Sequence, residues 1–386
     1  MILYIVILLY LLYQAFRHKS FGNTSIDMRA YKFSCIVLIC LAAFRNKLGG
    51  DTYTYMNSFY YAPTFHDLSF QYLLVSNFAP LWNILCASIK AIGGNFYLLQ
   101  TVHAVVINVA FFYFFKKYSE KPFLCVLIYY IFFYFNYNTE ILRSAVSAAI
   151  FLYAYRYMLE GRLKMYYILC IIALGFHYEA IVLFLFPLFN MIEINKRRKL
   201  AAITVIIVGL LFVISIDITK SDFLWSFVTE NNNMEEYLTY EKVKLNINGI
   251  IAYSFGVIPY VILFMCVRVS NFESLLLLFV VLLKILTFRY YVLFSRMLDF
   301  CYPVVLIIVA RTLQYKKKEI INTNLKPLLL IGVFMLFYSW GQFYQGHMGG
   351  QENISYKMYF PYTSWLLDEE DIERTSIVNT QRHTNY

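Results

Sequence analysis

Charge is scarce in this chain. Of its 386 residues, 15% are Asp, Glu, Lys or Arg, against about 25% in a soluble domain. That deficit excludes an ordinary cytosolic enzyme and a disordered chain. A disulfide framework is missing as well. Cys35, Cys40, Cys86, Cys125, Cys170, Cys266 and Cys301 lie in apolar runs, form no C-x-x-C pair and are odd in number. They read as small buried hydrophobes, not as staples of a secreted domain. The sequence contains no G-x-S-x-G, no Walker loop, no H-E-x-x-H and no Cys/His zinc spacing, so the common hydrolase, nucleotide and metalloprotease chemistries have no foothold. The first outer loop holds no D-x-D or paired acids to grip a divalent cation. No internal repeat and no low-complexity tract is visible.

What is present is apolar and aromatic. Hydrophobic residues make up 60%, the mean hydropathy is +0.58, and 36 Tyr, 36 Phe and 4 Trp far exceed the needs of one soluble core. Apolar runs fall at about 1–16, 31–44, 72–92, 97–115, 122–138, 141–158, 164–176, 178–192, 199–216, 249–267, 273–290, 293–310 and 326–344. At roughly 20 residues per crossing, the pattern predicts an all-α polytopic membrane protein with about 12 transmembrane helices. The 72–92 run contains Pro80 and ends at Gly93-Gly94. It is expected as a re-entrant or interfacial helix. Residues 1–344 form the multi-span domain, and 345–386 a polar, mobile C-terminal tail.

The net charge of +10 resides in short basic clusters between apolar runs. This is the pattern of cytoplasmic loops, not of a nucleic-acid groove. Arg17, His18 and Lys19 follow the first run instead of preceding it. That excludes a signal peptide and places the N-terminus outside. The strongest inner anchors are Lys196-Arg197-Arg198-Lys199 and Lys316-Lys317-Lys318. With these inside, the outer face carries loops at about 45–71 and 217–248 and the C-terminal tail. Function is expected there, because a loop of about 30 residues is uncommon without one.

Charges at span ends cost energy unless they pair or reach water. Asp51 follows Gly49-Gly50 and is either an N-cap or a site carboxylate. Glu140 and Arg143 share one helix face at i, i+3. Arg143 there either pairs locally or faces an anion. His177 and Glu179 sit in a break between two short apolar runs, where a histidine can act as a base or simply anchor the interface. Arg289 and Arg296 are two helical turns apart, with Asp299 three residues further on. They either steady a span or present two guanidiniums to one diphosphate.

The run Arg45-x3-Gly-Gly-Asp51-x3-Tyr55, closing the second span, resembles the hallmark of the EpsG-like branch of O-antigen (Wzy) polymerases. Arg143-Ser144-Ala145 is similar to that family's Arg-Gln pair opening a mid-chain span, with Ser in place of Gln. His177-Tyr178-Glu179-Ala180 is similar to its His-led later span, with Glu179 in place of a small residue. Order, approximate spacing and layout agree over most of the chain. The resemblance implies a GT-C-like glycosyltransferase that polymerises polyprenyl-diphosphate-linked oligosaccharide repeats without a metal or other cofactor. Its implied place is the outer face of the bacterial inner membrane, with lipid-linked donor and acceptor, the bilayer and a chain-length regulator as partners, and no nucleic acid. It implies His177 as base, with Asp51 and Glu179 behind it. Arg143, Arg289, Arg296 and Arg45 would hold the diphosphate, and Tyr53, Tyr55 and Trp225 would stack on sugars. An O-antigen ligase, another GT-C transferase, a lipid-linked sugar flippase and a non-catalytic scaffold remain as alternatives.

Overall fold

The computed structural model describes residues 2–17, 25–76, 78–194, 197–215, 247–267, 269–288, 291–313, 332, 358–367 and 371–375. Every regular element among them is helical. Extended pairing among these residues is limited to one antiparallel bridge, Arg45 with Ser364. The chain divides into two compact units, residues 1–178 with 341–386, and residues 179–340.

The first unit runs through α1 (Ile2–Arg17), α2 (Ser25–Ala43), α3 (Thr52–Tyr61), α4 (Phe70–Val75), α5 (Pro80–Ala91), α6 (Phe96–Tyr118), α7 (Pro122–Phe132), α8 (Leu142–Leu159) and α9 (Leu163–Phe176). A π-helical turn, Asn136–Glu140, separates α7 from α8. Local chemistry sets the boundaries. Pro80 and Pro122 open α5 and α7, where the missing N–H costs nothing. The Asn95 side chain caps α6 by accepting from the Leu98 amide at 3.1 Å. Gly161, at φ +71°, turns the chain from α8 into α9.

α6 has 23 residues, about 34 Å at 1.5 Å per residue. Among the described residues it alone is both long and apolar enough to cross a bilayer by itself. Shorter apolar helices accompany it, including Ile2–Arg17, Pro122–Phe132 and Leu163–Phe176. The 72–92 run is broken in two: α4 and α5 have 6 and 12 residues, and neither spans a core of about 30 Å.

The first unit's interior is aromatic. Phe111 stacks on Tyr129 with centroids 4.5 Å apart. Tyr4 meets Phe135 edge-on at 5.2 Å. Buried hydroxyls find backbone partners across helices: Tyr134 donates to Leu38 O at 2.6 Å and Tyr31 to Phe112 O at 2.9 Å. In an apolar setting such satisfaction is what permits tyrosine inside.

The second unit contains residues 179–190 of the 3₁₀ segment Tyr178–Asn190, then α10 (Arg198–Ser215), α11 (Ile247–Cys266), α12 (Asn271–Leu286) and α13 (Tyr291–Thr312). Phe186 packs edge-on against Phe272 at 6.1 Å and against Phe279 at 6.2 Å. Ser270 and Glu273 form a capping box at the start of α12. Glu273 also takes a forked pair of bonds from Arg311, at 3.1 and 3.0 Å.

Outward faces are apolar where an aqueous protein carries charge. Ile203, Ile207 and Leu211 repeat at i, i+4, i+8 on α10 and are exposed, as are Ile2, Val6 and Leu9 on α1. Such faces suit lipid, and in water they would be aggregation surfaces. The molecule is a helical membrane protein.

One sequence expectation changes here. Residues 358–367 and 371–375 fall in the stretch whose polarity predicts a mobile tail, yet they pack into the first unit. Met358 and Arg374 are 1% exposed. The Thr363 and Trp365 side chains bond the backbone of Asn46 and Ala43, and Arg374 bonds Thr363 and Pro361 within the stretch itself. Residues 216–246 of the expected outer loop, with Trp225, lie outside the described residues, as does Arg289.

Candidate active site

The loop after α2 is held by partners remote in sequence. Gln100 on α6 donates to Ala43 O at 2.8 Å and to Arg45 O at 2.9 Å. The Trp365 indole donates to Ala43 O at 2.9 Å. Residues 358–365 run back along the loop: the Asn46 amide donates to Thr363 O at 2.8 Å, and the Gly49 amide to Met358 O at 3.0 Å. The Thr363 hydroxyl returns a bond to Asn46 O at 2.8 Å. Arg374 secures this strap by donating to Thr363 Oγ1 at 2.8 Å and to Pro361 O. Burial lowers the Arg374 pKa, and the Asp371 carboxylate opposes the shift.

Glu140 ties the loop to the π turn. Its Oε1 accepts from the Gly50 amide and its Oε2 from the Asp51 amide, both at 3.0 Å. Oε1 also accepts from the Tyr359 hydroxyl at 2.8 Å; the Thr139 hydroxyl, which donates to Phe135 O at 2.7 Å, lies 3.0 Å away. Asp51 occupies the N-cap position of α3 without a side-chain cap bond. The remote Glu140 carboxylate instead accepts from the amide of Asp51 itself and from that of Gly50 before it, at the positive end of α3. The glycines follow from this fit. Gly49 sits at φ +97°, and a Cβ there would lie 2.6 Å from Thr139 Cβ and 2.7 Å from Glu140 Oε1. Only glycine satisfies both demands. The hydrogen bonds of Glu140 thus run to the loop and to Tyr359.

Arg143 opens α8, and its guanidinium carbon lies 4.4 Å from the Phe78 ring centroid. His177 is the C-cap of α9, its amide donating to Ala173 O at 3.1 Å. α8 and α9 are antiparallel neighbours joined by the Gly161 turn. The Ser147 hydroxyl donates across them to Ala173 O at 2.7 Å. Arg143 precedes Ser147 by four residues, and His177 follows Ala173 by four. Both stand about 6 Å beyond that contact at the same end of the helix pair. A third helix approaches closely there: a Cβ on Gly175 would lie 2.6 Å from Leu81 Cδ1 of α5.

α6 is the rack for these parts. Gln100 holds the exit of α2, the His103 Nε2 bonds Leu142 O at 3.0 Å beside Arg143, and Asn108 donates to Asn138 Oδ1 of the π turn at 3.0 Å. All four side chains are buried. Sequence reading passed over them, although polar letters inside an otherwise apolar run were the available signal.

The structure thus assembles Asp51, Glu140, Arg143 and His177 within one unit. Arg45 belongs to the same unit but is buried, at 1% exposure, with its Nη1 on Ala42 O. Burial pushes its pKa down to about 10, opposed by Tyr134, Tyr362 and Glu140, so it stays charged at neutral pH. Tyr53 and Tyr55 are also buried. Tyr53 bonds Thr375, and Tyr55 packs edge-on to Trp82 at 5.8 Å. As placed, these rings are packing groups, not open platforms. Glu179 and Arg296 belong to the second unit, where buried Asp299 lies within electrostatic reach of Arg296, Glu179 and Lys284.

A family model described as the EpsG family matches residues 28–364. The chain belongs to the EpsG family. The matched stretch takes in the Arg45–Asp51 loop, the π turn, α8, α9 and the strap as far as Ser364. EpsG-family membership therefore covers every part assembled above except Trp365, Asp371, Arg374 and Thr375. No curated protein matches the chain, and no solved structure does.

Proposed function

We propose that this EpsG-family membrane protein polymerises oligosaccharide repeat units carried on a polyprenyl diphosphate. The proposed setting is the outer face of the bacterial inner membrane, in a GT-C-like arrangement of about 12 spans that needs no metal. The observation that carries the reading is the placement of Arg143 and His177 at one end of the α8–α9 pair, beside the Asp51 loop.

The chemistry follows from charge. The acceptor hydroxyl oxygen attacks the anomeric carbon of the donor chain. Its proton passes to the His177 imidazole, and α9's C-terminal dipole favours positive charge there. The anomeric C–O bond breaks, and the electron pair leaves with the lipid diphosphate. Arg143 offsets the charge that builds on that leaving group. A fixed donor of this kind is worth about 3–4 kcal/mol of transition-state stabilisation. Arg296 and Arg289 are the further candidate diphosphate ligands, and Asp51 and Glu179 the further candidate bases.

The test is a glycan ladder from cells lacking the protein, complemented with wild type, Arg143→Ala or His177→Ala at matched membrane levels. The expected result is that both variants export single repeats and form no polymer. A normal ladder from both would remove these residues from the site. Absence of any exported repeat in the deletion strain would point to a flippase instead.

A further inference from the structure

We infer that Glu140 is a positioning residue of this site: its carboxylate fixes the Asp51 loop and the strap relative to Arg143. The inference rests on the proposed polymerase reading. Two chain segments remote from Glu140 converge on its carboxylate. The loop supplies the Gly50 and Asp51 amides at 3.0 Å each, and the strap supplies the Tyr359 hydroxyl at 2.8 Å. One helical turn after Glu140 stands Arg143, on a chain whose path His103 fixes through Leu142 O.

Two features show that the carboxylate itself is required. Both oxygens accept backbone amides, and Oε1 accepts the Tyr359 hydroxyl besides. A carboxylate has lone pairs enough for all of these, whereas an amide side chain presents one acceptor oxygen and a donor. A glutamine here would aim its NH2 at a backbone N–H. The pocket is also tight: a Cβ on Gly50 would lie 3.3 Å from Oε2. Glu140 is half of a turn-and-cap device built around charge, and the π turn that carries it is a form often found at functional sites.

Loss of the device would let the Asp51 loop drift from Arg143. Misplacement by about 1 Å can cost on the order of 100-fold in rate. The Glu140 variants separate positioning from packing. Glutamine keeps the volume and loses the double acceptor. Aspartate loses a methylene and keeps it. Packing alone favours Glu140→Gln, and charge-based positioning favours Glu140→Asp.

The experiment uses the full chain in deletion cells. Wild type, Glu140→Gln, Glu140→Asp and Arg143→Ala are compared by pulse-labelled polymer growth per folded protein, with folded protein measured by fluorescence-detected size exclusion. The expected result is that Glu140→Gln lowers the rate per folded protein by tenfold or more, on the scale of a lost alignment. Glu140→Asp should restore part of it at equal folded yield. If Glu140→Gln polymerises like wild type, or its loss only follows lost folded protein, the positioning role is overturned while an inactive Arg143→Ala keeps the polymerase site. If Arg143→Ala itself polymerises normally, the polymerase site falls and the inference falls with it.

Discussion

Tyr53 and Thr375 share a hydrogen bond, their hydroxyl oxygens 2.8 Å apart across 322 positions of sequence. The contact closes a strap over the loop that carries Asp51. Buried Arg374 and Thr363 lie behind it. A stop codon at position 358 is therefore expected to leave membrane insertion intact and to abolish polymer formation. The check is a glycan ladder at matched membrane levels, with protease cleavage in 44–51 as a local probe. A normal ladder from the truncated chain would make the strap dispensable.

Gly49 and Gly161 both adopt positive φ, but only one is crowded. A Cβ at Gly49 meets Thr139 at 2.6 Å, and a Cβ at Gly161 meets nothing within 4 Å. Gly161→Ala is expected to cost about 1–2 kcal/mol of backbone strain. Gly49→Ala adds overpacking of about 1–3 kcal/mol. Thermal unfolding of both variants in detergent tests the ranking, and equal midpoints would contradict the crowding.

The close approach of α9 to α5 is expected to show as a compensating pair. Gly175→Ala pushes a methyl into Leu81, whose Cδ1 would lie 2.6 Å away, and so shifts the helix end that carries His177. Polymer growth per folded protein should fall in Gly175→Ala and recover in Gly175→Ala/Leu81→Ala. Contacting residues are the ones that couple in this way. Additive losses in the double variant would show that α5 does not set the position of α9.

In the second unit, Arg311 forks onto Glu273 at 3.0 and 3.1 Å. Glu273→Gln preserves the shape of the capping box and removes the charge. The expected loss is about 1.5–3 kcal/mol, the range for a hydrogen bond to a charged group. Differential scanning of the detergent-solubilised protein reads it. An unchanged midpoint would mean that the pair is balanced by its desolvation.

Much of the helical layout was legible beforehand because its signals are local. Pro80, which interrupts the 72–92 run, and the break at His177 both rest on backbone rules that act within a few residues. The site's grouping was legible only in part. Arg143 and His177 were visible as charges at the ends of apolar runs. Glu140 was visible too, but as a partner for Arg143. Its real partners are two amides 89 and 90 positions away, and no local rule connects them.

By itself the sequence determined that this is a helical membrane protein. Lipid exposure demands long apolar runs, and the scarcity of charge leaves few polar residues to consider. It also singled out Arg143, His177 and Asp51, because a charge beside an apolar run is conspicuous whatever the fold. Only the tertiary structure decided that Glu140 holds the Gly50 and Asp51 amides ahead of α3, that Gln100 and His103 hold the two site segments on α6, and that residues 358–367 and 371–375 form a strap. The physical reason is satisfaction of buried polar groups. A backbone amide or carbonyl away from water takes whichever partner the packing brings within about 3 Å, and that choice is made in space, not along the chain.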